Sequence, residues 1–361
     1  MQITAAVLRA KDGPYSIEEV TLAEPRPDEV LVRIVGVGMC HTDVLPRGEA
    51  TISQPPIITG HEGSGVVEAI GADVTDIAVG DHVVLSFESC GVCEACTARR
   101  PSACEEFWLR NLLGRRADFS TAVTDAAGQE VPSRWFGQSS FATHVLATAR
   151  NTVVVDPSLP LELLGPLGCG IQTGAGAVLV ALDVQPGTSV VVFGTGAVGL
   201  AAVMAAKVAG ATTIVAIDLH QHRLDLALEL GATHGLRGDA PDLLAQVQDL
   251  TAGAHYSVDT TGVPAVSRNA MACVRLGGTA ALVGAQLDDL VLDTLAVVGK
   301  TAIWVLEGSA DPKTFIPRMI ELWQAGRFPF DRLIEQFPLA EIDAAEEASL
   351  SGRVIKPVLR P

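Results

Sequence analysis

Basic residues are scarce in this 361-residue sequence: 25 Lys and Arg stand against 42 Asp and Glu, a formal charge of −17 at pH 7. Such a chain repels a phosphate backbone, and no basic stretch interrupts the acidic balance, so nucleic acid is excluded as a partner. Long apolar runs are missing too. Stretches such as Ser189 to Phe193 have the length of a strand and are broken by glycine, and Met1 to Ala10 has no charged segment followed by an apolar core. We therefore expect no membrane partner and a cytoplasmic protein. Cysteines number seven, an odd count that fits a disulfide framework poorly and metal ligation better. Aromatics reach only 4%, whereas glycine is plentiful at 35 residues, as suits an α/β protein with tight turns and small-residue packing.

The chain is too long for one ordinary core, and its texture changes once. From Ile3 to about Val155 come short, β-branched, turn-bounded runs: Glu29 to Val37, Gly65 to Ile70, Asp81 to Phe87, Phe141 to Leu146 and Thr152 to Val155. These read as an all-β, barrel-like domain. After Cys169, apolar strands alternate with helical patterns: Ser189 to Phe193, Ala197 to Ala209, Thr213 to Ile217, Gln221 to Leu230, then Ala240 to Leu250, Tyr256 to Asp259, Ala265 to Leu276 and Ala280 to Val283. This is the rhythm of a doubly wound parallel sheet. A helix over Pro312 to Ala325 and a strand over Val354 to Leu359 close the chain. We assign residues 1–168 to the barrel domain, 169–304 to the parallel sheet and 305–361 to a return to the first domain. No internal repeat or low-complexity segment is present.

Gly194, Gly196 and Gly199 stand at G-x-G-x-x-G spacing between an apolar strand and an Ala-rich helix. Glycines there let the backbone approach a pyrophosphate at the helix N-terminus. Nineteen residues beyond Gly199, Asp218 ends the next strand, where a carboxylate bonds a ribose hydroxyl and repels the extra phosphate of NADP. NAD is favoured, although Arg223 is a nearby cation able to accept that phosphate. A Gly-rich turn with a surface Asp is the plainer alternative.

Cys90, Cys93, Cys96 and Cys104 place four thiolates on one loop, enough for a closed tetrahedral zinc site. An iron–sulfur cluster competes, but no second Cys-rich motif accompanies this one. Cys40, His61 and Cys169 make a Cys2His set with a fourth position free. Taken singly, each is more commonly a packed core residue.

The strings GHEGSGVVEAIG, GDHVV, the four-cysteine loop and GTGAVG, in this order, resemble the zinc-containing medium-chain dehydrogenase/reductase family. SCGVCEACTARRPSAC, WFGQSSFATHV and GPLGCGIQTGAGAV resemble its aryl-alcohol (benzyl-alcohol) dehydrogenase branch in particular. The resemblance implies a GroES-like catalytic domain carrying a Rossmann domain, two zinc ions per subunit, NAD, and a homodimer or homotetramer. It implies that Cys40, His61 and Cys169 bind catalytic zinc, that Cys90, Cys93, Cys96 and Cys104 bind structural zinc, that Glu62 sits behind the catalytic metal, and that Asp43 holds the free nitrogen of His61. Zinc would acidify an alcohol so that hydride leaves to the nicotinamide, with Thr42 passing on the proton. His41 and Lys356 match positions against the cofactor pyrophosphate, and Thr173 and Val198 match positions at the nicotinamide. Where many relatives carry a relay histidine, this chain has Leu45.

The expected reaction is therefore reversible, NAD-linked oxidation of a primary aromatic or allylic alcohol to its aldehyde. Phe87, Trp108, Trp135 and Phe136 are candidate walls of an apolar slot. A glutathione-adduct (formaldehyde) or secondary-alcohol dehydrogenase on the same scaffold is the alternative. A non-catalytic Rossmann binding protein would be expected to lack the zinc ligands.

Overall fold

The computed structural model describes residues 1–48 and 52–361. The chain separates into two compact units. One comprises Met1–Gly170, Asp311–Pro317 and Asp331–Pro361, the other Ile171–Ala310 and Arg318–Phe330.

The first unit is built on two sheets. Gln2–Leu8 and Tyr15–Leu22 form an antiparallel pair extended by Val123–Thr124 and Glu130–Val131. The larger, seven-stranded sheet runs in the order Ile334–Pro338, Lys356–Arg360, Glu29–Gly38, Glu62–Ile70, His82–Leu85 and Thr152–Val155, with His144–Thr148 also paired to Glu29–Gly38. The C-terminal strand thus lies beside a strand near the start of the chain, and Val358 stands opposite Gly38. Val30, Val32, Val83, Val84, Leu85, Leu146 and Val358 fill the interior, and these strands are buried along most of their length.

In the second unit six strands run parallel in the order His234–Arg237, Thr213–Asp218, Ser189–Phe193, Ala254–Asp259, Val274–Leu282 and Thr301–Trp304. Counted along the chain this is 3-2-1-4-5-6, the Rossmann order, whose topological switch lies beside Ser189–Phe193. The central strand is buried along its whole length, and the following helix, Ala197–Val208, is buried from Gly199 to Ala206. Alanine makes this close helix–sheet packing possible. One helix is shorter than its sequence pattern. Ala265 to Leu276 reads as continuous, yet the helix spans Pro264–Cys273 and Val274 already belongs to the next strand. β-branched Val274 and the Gly277–Gly278 pair favour extended chain there, and pairing with Ala254–Asp259 overrides the helical periodicity. No single helix among the described residues is long and apolar enough to cross a membrane.

Candidate active site and metal centres

Antiparallel register brings the first two candidate ligands together. Gly38 is paired with Glu62, so the residues just beyond these positions, Cys40 and His61, converge at one end of the strand pair. Gly38 has a steric role, because a Cβ there would overlap Glu62 Oε2. Cys169 arrives from the turn Gly165–Gly168, and the donor atoms of Cys40, His61, Glu62 and Cys169 all lie within 4.8 Å of one another. His61, Glu62 and Cys169 are buried.

His61 has a defined orientation. Its Nδ1 lies 2.7 Å from Asp43 Oδ1 and its Nε2 lies 3.2 Å from Cys169 Sγ, so Nδ1 donates to the carboxylate and Nε2 faces the thiols. Asp43 also accepts the N–H groups of Gly60 at 2.9 Å and Cys40 at 3.1 Å. Burial lowers the His61 pKa, but the charge and hydrogen bond of Asp43, with those of Cys40, outweigh it and hold the ring well above its ordinary value. The hydrogen bond with Cys169 holds Cys40 well below the usual thiol range, against burial and with help from His61 and Lys356. One thiol that ionises readily, a second, buried thiol and one oriented imidazole fit a divalent zinc ion. Thr42 Oγ1 lies 3.8 Å from Cys40 Sγ, close enough to face a group bound there.

Lys356 requires a correction. Expected at the cofactor pyrophosphate, it is 3% exposed and donates to Glu62 Oε1 and Oε2, each at 2.9 Å, and to Met39 O at 3.0 Å. Its three donors are thereby used, leaving none for a phosphate. Burial opposes its charge, but the negative charge of Glu62 more than compensates and raises its pKa. Glu62 Oε1 also accepts the N–H of Gly170 at 2.9 Å. His41 is exposed at the start of the turn His41–Arg47.

The donor sulfurs of Cys90, Cys93, Cys96 and Cys104 likewise lie within 4.8 Å of one another. Backbone N–H groups already point at this set: those of Val92 and Cys93 lie 3.5 and 3.3 Å from Cys90 Sγ, and that of Cys90 lies 3.3 Å from Cys104 Sγ. Such bonds favour thiolate. The N–H of Glu105, followed by that of Cys96, lowers the Cys93 thiol to about 6. Four soft sulfur donors fit a closed zinc site.

In the second unit, Gly194 takes φ +82° and its N–H bonds Ile217 O at 2.8 Å. A Cβ at Gly199 would collide with Gly194 O, so the helix and the strand end can meet this closely only at glycine. Gly196 caps Ala197–Val208, in whose first turn Val198 lies, and Thr173 lies in the helix Gly170–Gly176. Asp218 is more committed than expected. Its Oδ2 accepts Thr195 N–H at 2.7 Å and Thr195 Oγ1 at 2.9 Å, and its Oδ1 accepts His220 N–H at 2.9 Å. Arg223 stands 3.8 Å away. Burial would raise the Asp218 pKa, yet these bonds and Arg223 keep it below the ordinary aspartate value.

The aromatic candidates divide. Phe136 stacks on the His61 ring, with centroids 4.5 Å apart and planes 29° apart. Phe107 meets Phe136 edge-on at 6.2 Å and Phe87 at 5.7 Å, while Trp135 packs on Phe136 from within the core. Trp108 is 57% exposed and touches this group only through Phe107. Sequence reasoning passed over Phe107 and Gln138. Gln138 Nε2 donates to His61 O at 2.9 Å. The FW pair after Cys104 was the available signal for Phe107, and the helix Phe107–Leu112 turns the first ring inward and the second outward.

Comparison with known proteins agrees with this arrangement. A family model for the alcohol dehydrogenase GroES-like domain matches residues 26–157, and one for zinc-binding dehydrogenases matches residues 197–323. The chain is 48% identical to the geraniol dehydrogenase of Castellaniella defragrans, over 98% of this chain and 96% of that one. Its fold matches a crystal structure of an alcohol dehydrogenase zinc-binding domain protein from Burkholderia ambifaria at TM-score 0.97 and 46% identity, covering 100% and 99% of the two chains. The benzyl alcohol dehydrogenase structure from Acinetobacter calcoaceticus matches at TM-score 0.93 and 43% identity, with the same coverage. With both family models matched and similarity running the length of the sequence, the chain belongs to the zinc-containing medium-chain alcohol dehydrogenases, enzymes whose cofactors are zinc and NAD.

Proposed function

We propose that the chain is a cytoplasmic dehydrogenase that converts primary alcohols, with the hydroxyl next to an aromatic ring or a double bond, reversibly into aldehydes. The observation that supports the substrate class is the aromatic cluster beside the metal set, where buried Phe136 covers His61 and packs on buried Phe107, which in turn packs on Phe87. A flat ring buried against any apolar wall near the metal set gains about 25 cal/mol per Å² of apolar area, little of which ethanol offers. Conjugation also stabilises the forming carbonyl as hydride leaves. Similarity to proteins named for geraniol and benzyl alcohol supports the same reading.

In this proposal Cys40, His61 and Cys169 hold one zinc with a position left for substrate, and Cys90, Cys93, Cys96 and Cys104 hold a second with none. Zinc in the first set supplies a Lewis acid that acidifies the alcohol, and NAD supplies the hydride acceptor. Thr42 accepts the alcohol proton at its hydroxyl and donates its own onward. Asp43 fixes the His61 tautomer, and Lys356 holds the Glu62 carboxylate behind the ligands. Gly194, Gly196 and Gly199 receive the pyrophosphate, Thr173 and Val198 lie at the nicotinamide, and Asp218 accepts from the ribose and disfavours NADP, with Arg223 tempering that preference. Self-association into a dimer or tetramer is supported by the edge strand Thr301–Trp304, where Trp304 is 65% exposed, and by exposed Leu295 and Val298 in the residues that precede it.

Initial rates across alcohols test the substrate class. Benzyl or cinnamyl alcohol is expected to exceed ethanol in kcat/KM by at least about a hundredfold, near 2.7 kcal/mol. Equal turnover of ethanol, or faster turnover of a secondary alcohol or a glutathione adduct, overturns it.

A further inference from the structure

Three residues of the segment 135–139 have left-handed backbone: Phe136 at φ +51°, Gly137 at +71° and Ser139 at +57°. Glycine tolerates this, but a side chain as bulky as Phe does not adopt it without a restraining environment. The restraints are visible. Ser139 Oγ accepts Trp135 N–H at 2.8 Å and donates to Ile58 O at 2.6 Å. On the other side Arg134 is pinned inside the unit, donating to Leu146 O at 2.7 Å and to Glu88 Oε2 at 2.9 Å. Both ends of the turn are therefore fixed to neighbouring segments of the unit, and the strained residue whose ring lies on His61 stands between them.

A metal-binding imidazole needs its ring plane fixed as well as its tautomer. The terminal torsion of histidine is broad, and a single hydrogen bond from Nδ1 to Asp43 leaves the ring able to swivel about that bond. A ring 4.5 Å away and near parallel removes the swivel, and Gln138, in the same turn, holds the His61 carbonyl. We infer that Phe136 is a positioning residue whose ring, presented by a strained turn, fixes the plane of the His61 imidazole and so retains the metal at Cys40, His61 and Cys169. This rests on the ligand set proposed above. The strained backbone places the ring face-on, a placement that a relaxed turn would lose.

Zinc release into a chromophoric chelator tests it, with metal content and thermal melting measured on the same zinc-loaded samples. Wild type should release zinc in two phases, and His61→Ala should lack the phase of the open set; if His61→Ala keeps both zinc ions, the ligand assignment itself fails. Phe136→Ala and Phe136→Gly should accelerate that phase at least about tenfold, the scale expected when a residue that orients a ligand is removed. The other phase and the melting temperature should stay near wild type, and Phe136→Tyr, which keeps the ring face, should release at the wild-type rate. Glycine separates ring from backbone, because it relieves the left-handed strain yet lacks the ring. Wild-type release from Phe136→Ala, fast release from Phe136→Ala but not Phe136→Gly, or acceleration of both phases with a fall in melting temperature would each overturn the inference.

Discussion

Cys90, Cys93, Cys96 and Cys104 come from a single stretch of chain, whereas Cys40, His61 and Cys169 are drawn from three distant places. The loop set is organised by its own backbone, with N–H groups of the same segment aimed at its sulfurs. The distant set is organised by the sheet: the pairing of Gly38 with Glu62 positions two donors, and buried Asp43, Gln138 and Lys356 orient what arrives. A local set can hold its own loop without serving chemistry. A set assembled by the fold inherits the precision of the core around it, and that is where catalysis needs precision.

The largest expected effect separates the two sets. Cys169→Ala should leave a folded protein with about one zinc per subunit and activity reduced at least about a thousandfold, beyond the roughly 10–100-fold typical for residues that only orient a ligand. Cys93→Ser should instead lower the melting temperature or prevent assembly, with residual activity following the folded fraction. Metal analysis with circular dichroism checks both. A single zinc in wild type, or iron, would collapse the comparison.

This contrast also explains what the sequence made legible. Four cysteines at short spacing announce their chemistry because their geometry is local, and the βαβ rhythm announces the parallel sheet for the same reason. Lys356 was misplaced because its partner, Glu62, is nearly three hundred residues away, and only the strand Lys356–Arg360 beside Glu29–Gly38 brings them together. The attachment of Asp218 to Thr195 was hidden likewise: spacing marks the strand end, but the hydrogen bonds depend on how the Gly-rich turn closes. Trp108 looked like a wall and faces outward, whereas Phe107 faces inward, a choice set by a six-residue helix too short to read from periodicity.

The orienting shell offers a finer test. Asp43→Ala removes the acceptor at His61 Nδ1 while leaving all three donors, and is expected to cost roughly 10–100-fold in metal affinity or activity. Chelator competition and rates at saturating zinc check it, and unchanged affinity would assign orientation to other neighbours. In the second unit the expected effect is smaller. Asp218→Ala should lower the preference for NAD over NADP by at least about tenfold, or 1.4 kcal/mol. Because Asp218 also holds Thr195, binding of NAD itself should weaken. Equal use of both cofactors by wild type would remove Asp218 as the determinant.

The smallest effect concerns the proton, and it depends on which step limits turnover. Leu45 is half-buried in the turn His41–Arg47, two residues beyond Asp43, at the position where the family resemblance implies a relay histidine. Without an imidazole there, the proton handed on by Thr42 in the proposed mechanism must reach water by another route. Leu45→His supplies an acceptor with an ordinary pKa near 6.5, which is neutral and able to take a proton only above that value. At high pH solvent already removes the proton readily, and at low pH the new ring is itself protonated. The gain in alcohol oxidation should therefore peak between about pH 6 and 8, at a few-fold. A deuterated alcohol establishes whether hydride transfer contributes to the rate in the same samples. A clear isotope effect with an unchanged pH profile would mean that proton exit does not limit this enzyme and that Leu45 imposes no kinetic penalty.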